Sequence, residues 1–100
     1  MEIEAVKKEV ARIVEQELPE GYTAFFFGSR ITGTASPRSD LDVGIEGTNG
    51  VPLSLQILSN MKERCAALRT LYTVDVVDLT EANEVFRQVA KEKIEPIAKQ

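Results

Sequence analysis

The chain contains no histidine, an absence that removes much chemistry at once. Without imidazole there is no Ser-His-Asp or Cys-His triad and no His-ligated zinc site. It has one cysteine, Cys65, so no internal disulfide can form. The apolar helical pattern around that cysteine predicts a small buried core residue in a reducing, cytoplasmic setting. A basic excess is missing too: 12 Lys and Arg stand against 16 Asp and Glu, a balance that repels nucleic-acid backbones and argues against direct DNA or RNA binding. No apolar run approaches the roughly 18 residues of a transmembrane helix. The N-terminal MEIEAVKKEVARIVEQEL mixes charged and apolar residues too finely for a secretory signal, so it is expected to belong to the fold, with no membrane association.

What is present suits one folded domain over residues 1–100, because 43% hydrophobic and 28% charged residues are enough for a core and far from a disordered composition. With imidazole gone, a metal has to sit on carboxylates, which favours Mg2+ or Mn2+ and a site shared with substrate phosphates.

Ile3, Val6, Val10, Ile13, Val14 and Leu18 recur at the spacing of one helical face, and Pro19 with Gly21 stops that helix. Tyr22 to Phe27 reads as a short buried strand, with Phe25, Phe26 and Phe27 as core residues facing both sides of a sheet. Positions 28–39 turn to Gly, Ser, Thr, Pro and Arg, a loop. A second strand runs from Asp40 to Glu46, with Asp40, Asp42, Gly44 and Glu46 on one side and Leu41, Val43 and Ile45 on the other.

After a turn at Gly47 to Gly50, Pro52 suits the first turn of a helix marked by Leu53, Ile57, Leu58, Met61, Cys65 and Leu68. Tyr72 to Leu79 is a third strand. Thr80 is expected to cap a last helix carrying Ala82, Val85, Phe86, Val89, Ala90 and Ile94, with Glu81 and Glu84 in its first turn. The order α-β-loop-β-α-β-α predicts an α/β or α+β fold with strand directions open. The surface charges of the outer helices, such as Lys7 with Glu15 and Lys91 with Glu95, read as solvated faces.

Three features of this pattern carry chemistry. A buried strand that runs into Gly28-Ser29 offers close backbone approach and a hydroxyl to phosphate oxygens. Ten residues then separate Ser29 from Asp40-Leu41-Asp42, whose two acids share a strand face about 6 to 7 Å apart at Cα. Such a pair can grip one or two cations and serve an in-line displacement at phosphorus. Asp75, within the apolar Val74-Asp75-Val76-Val77, is the third acid, where a cation would offset the cost of an unpaired buried charge. Asp78 falls on the opposite face and is assigned to the strand end. Taken singly, Gly-Ser and Asp-x-Asp are common turn chemistry; their spacing and the strand before them make the combination specific.

The stretch FFFGSRITGTASPRSDLDVGI, followed by LYTVDVVDL, resembles the DNA polymerase β-like nucleotidyltransferase superfamily, and within it the minimal nucleotidyltransferases. The resemblance implies the nucleotidyltransferase fold, a small mixed sheet of about three to four strands with flanking helices. It also implies that Gly28 and Ser29 bind the phosphates of ATP, and that Asp40, Asp42 and Asp75 are catalytic and hold Mg2+ or Mn2+. Asp75 would further help to deprotonate an acceptor hydroxyl. Members of this size pair with a helical HEPN protein, a ribonuclease toxin, and transfer AMP to one of its tyrosines, which makes the expected role that of an antitoxin in a hetero-oligomer.

One departure from the pattern is Thr32 before Gly33, where the family usually carries arginine; Arg30 and Arg38 are the nearby alternatives. That departure leaves open a second reading, a nucleotide-binding module that neutralises or regulates its partner by stoichiometric contact.

Overall fold

The computed structural model describes residues 2–27, 41–70, 72–92 and 94–97. Helix α1 spans Ile3–Glu17 and buries Val6, Val10, Ile13 and Val14, the face its periodicity predicts. Strand β1 (Tyr22–Phe27) follows a turn at Gly21, whose φ of 89° lies in the left-handed region that glycine enters without a Cβ clash. Strand β2 is Leu41–Gly47, helix α2 Leu55–Ala66, strand β3 Val74–Asp78, helix α3 Glu84–Ala90 and strand β4 Glu95–Ile97.

The strands form one mixed sheet in the order β3-β2-β1-β4. β1 is antiparallel to both neighbours, and β2 with β3 is parallel, joined by the crossover through α2 that a parallel pair requires. Alternation divides the sheet cleanly. Ala24, Phe26, Leu41, Val43, Ile45 and Val76 pack with α1 and with Met61 and Cys65 of α2 into the main core. Phe25, Phe27 and Leu79 form a second, smaller cluster with Ala90 of α3. The three consecutive phenylalanines thus serve both faces, as expected. Cys65 is buried, and that burial pushes its thiol up to about 11, which makes it a core residue and not a nucleophile.

Several boundaries differ from the sequence reading. α2 begins at Leu55 with Ser54 as its cap, the hydroxyl accepting from Gln56 N at 3.2 Å; Pro52 lies ahead of the helix, although Leu53 is buried as expected. Thr80 does not cap the last helix. Asn83 does, its Oδ1 accepting from Val85 N at 2.8 Å and Phe86 N at 3.4 Å, so Ala82 and Glu81 precede α3. The helix ends at Ala90, and the chain then makes β4, an element missing from the expected order.

Lys7 is not simply solvated. Its ammonium meets Glu95 Oε1 at 2.6 Å and stands 5.4 Å from the Phe26 ring centroid, tying α1 to β4. No helix among the described residues is long and apolar enough to cross a membrane.

Candidate active site

The face of the sheet that carries Phe25 and Phe27 also carries two of the predicted acids. Asp42 and Asp75 are register partners on the parallel strands β2 and β3, so their side chains leave the same face from backbones about 4.8 Å apart. Phe27, the last residue of β1, pairs with Asp42 from the other side. The Gly28-Ser29 step therefore follows directly on the residue beside Asp42. Gly28, Ser29 and Asp40, together with Arg30, Thr32, Gly33 and Arg38, lie outside the described residues.

The expected environment of Asp75 needs correction. β3 is an edge strand and Asp75 is exposed, so no desolvation cost calls for a cation there. It lies on a strand beside β2, as expected, and in register with Asp42. Asp42 is half-buried. Two carboxylates abreast, in a chain without histidine, make an oxygen donor set that fits a hard divalent cation. Among the described residues no group of three or more Asp, Glu, Cys or His side chains is placed to hold a metal.

Asp78 plays the structural part assigned to it. Its Oδ2 accepts from Leu53 N at 2.7 Å, and its Oδ1 accepts from Thr80 N at 3.0 Å and from the Thr80 hydroxyl at 2.6 Å. Thr80 Oγ in turn accepts from Gly47 N at 2.8 Å. This chain of bonds pins the end of β3 to the turn between β2 and α2, which holds the two acid-bearing strands in register.

Two features of the site face were not read from the sequence. Gly44, between Asp42 and Glu46, is packed beneath Phe25: an added Cβ would lie 2.6 Å from the ring's Cε2 and 3.0 Å from Leu79 Cδ1. A glycine inside a strand is the usual mark of such close approach. Glu46 receives Arg87 Nη2 at 2.5 Å and Lys91 Nζ at 2.8 Å, clamping α3 onto the sheet. Lys91's hydrogen bond, opposed by burial and helped by that of Arg87, holds the Glu46 carboxyl below its ordinary range. Arg87 Nε is buried without a hydrogen-bond partner among the described residues. The signal for this clamp was available, since Glu46 shares strand parity with Asp42 and Arg87 with Lys91 shares one helix side.

An open sheet face that sets two acids abreast is compatible with displacement at phosphorus, the chemistry of nucleotidyl transfer. The chain belongs to the polymerase beta nucleotidyltransferase family, whose model matches residues 8–99. It is 29% identical over 91 residues to a probable protein adenylyltransferase, MntA, of Haemophilus influenzae, covering 91% of this chain and 78% of that protein.

Its fold is shared with a crystal structure of a toxin-antitoxin with AMP-PNP, at a TM-score of 0.73 and 20% identity over 94% of this chain and 73% of that one. A second solved structure, the tri-AMPylated Shewanella oneidensis HEPN toxin in complex with MNT antitoxin, matches at a TM-score of 0.69 and 16% identity, covering 97% of this chain and 72% of that chain.

Proposed function

We propose that the chain is a single minimal nucleotidyltransferase domain that transfers AMP from ATP to a hydroxyl, a tyrosine, of a HEPN-domain partner and so acts as its antitoxin. The observation that carries this reading is the register of Asp42 with Asp75 on one open face, at the point where β1 leads into Gly28-Ser29. Support comes from the likeness to a protein described as an adenylyltransferase and from solved relatives described with AMP-PNP and with an AMPylated HEPN toxin.

Asp40, Asp42 and Asp75 are the residues that would hold Mg2+ or Mn2+. When bound, the cation supplies positive charge against the triphosphate and the leaving pyrophosphate. Gly28 and Ser29 bind and orient the phosphates through backbone N-H groups and the hydroxyl. The acceptor oxygen forms a bond to the α-phosphorus as the bond to pyrophosphate breaks, and Asp75, exposed on the edge strand, takes the acceptor's proton. Asp42 faces the same reaction from β2 without being exposed to the same degree, which suits a fixed ligand.

The test is transfer of labelled AMP from ATP to a purified HEPN-domain protein of the same organism, in magnesium. Asp42→Asn is expected to lower transfer by at least about 100-fold, in line with loss of a metal ligand, while the unfolding midpoint stays near the parent's. Parental rates in that variant would refute the metal-site assignment. Loss of transfer with full neutralisation of the partner in a growth assay would favour the contact-only reading that Thr32 leaves open.

A further inference from the structure

The last helix turns most of its apolar side away from the molecule. At about 100° per residue, Val85, Val89, Phe86 and Ala90 follow one another round an arc of about 140° on α3. Ala90, at the end of that arc, is buried; Val85 is 68%, Phe86 50% and Val89 61% exposed. The helix is held instead from its polar side, through Arg87 and Lys91 on Glu46. Apolar residues gathered on one exposed helix face mark a surface that another molecule covers.

We propose that this stripe is the docking surface for the acceptor protein, a HEPN-domain partner that lays an apolar helix with basic flanks along α3. The inference rests on the transfer reading above and names where its acceptor sits. The first argument is position. Glu46 lies on the same face of β2 as Asp42, so α3 and the carboxylate pair occupy one side of the sheet. A protein seated on α3 is brought over the face where its hydroxyl has to arrive. The other strongly exposed apolar residues, Val51 and Leu55, lie at the entry to α2, which covers the opposite face.

The second argument is charge. Glu81 and Glu92 are exposed just before and just after α3 and enter no salt bridge among the described residues, whereas Arg87 and Lys91 are both engaged by Glu46. Both ends of the stripe therefore carry an acid. A second copy of this chain would set acids against acids, while a partner with Lys or Arg beside its apolar stripe would complement them. The Val85 and Val89 ridge, at i and i+4, fits the groove of a packed helix.

The experiment compares the parent with Phe86→Glu/Val89→Glu and with Leu55→Glu, each mixed with the purified HEPN-domain protein of the same organism. The double variant changes exposed residues, so its circular dichroism, unfolding midpoint and ATP binding in magnesium should match the parent's. Its affinity for the partner should fall at least about 30-fold, the loss that removing interface hot spots produces, and AMP transfer should fall with it; Leu55→Glu should bind and transfer as the parent does.

A double variant with parental partner affinity overturns the proposal. So does a parent that sedimentation shows to be a dimer through this stripe, with partner binding untouched by the variant. If the parent binds the partner but transfers no AMP, the docking surface stands and the transfer reading falls. If the parent does not bind the partner at all, the docking surface falls, while ATP binding still reports on the enzyme.

Discussion

At the scale of single residues, the site face is shaped as much by what is small as by what is charged. Gly44 leaves room for the Phe25 ring to lie across β2 between Asp42 and Glu46. Gly44→Ala would drive a methyl group into that ring and into Leu79, and should cost about 1–3 kcal/mol of stability, as overpacking does in a filled core. Denaturant unfolding checks it: a midpoint equal to the parent's would mean that Phe25 swings aside freely. The strand placements of Asp42 and Asp75 were both legible in the sequence, Asp42 from the alternation of its strand and Asp75 from the apolar run around it. The exposure of Asp75 was not, since Val74, Val76 and Val77 around it read as burial until β3 proves to be the edge of the sheet.

At the scale of elements, α1 and β1 lie where their periodicity places them, because each has a clear apolar pattern and a clear stop. The end of the chain was harder. Ala82 through Ile94 keeps helical spacing throughout, yet Asn83 captures two backbone N-H groups and starts the helix there, and Pro96 falls in the strand that follows. An edge strand tolerates Pro, so β4 carries no signal against helix until its partner β1 is known.

The helix that results depends on Glu46. Because the folded carboxyl titrates below its ordinary value, its contribution to stability is complete above the unfolded pKa of about 4.3 and is lost as pH falls through the lowered folded value. Glu46→Gln should therefore be less stable than the parent at pH 7, with the difference closing as pH drops below about 4. A difference that stays constant from pH 7 to pH 3 would show that the clamp carries no titrating charge.

At the scale of the whole molecule, the proposed reaction sets an acidic chain without histidine against an acidic substrate, a combination that would call for a cation between protein and triphosphate. The sheet supplies the place, with Phe27 at the end of β1 beside Asp42 and β3 carrying Asp75 on the other side. The most direct measurement is calorimetric titration of the purified chain with ATP, with and without magnesium, on the parent and on Asp42→Asn/Asp75→Asn. The account predicts binding that requires magnesium in the parent and disappears in the double variant. Equal ATP affinity in the variant, or binding indifferent to magnesium, would contradict a carboxylate-held metal at this face.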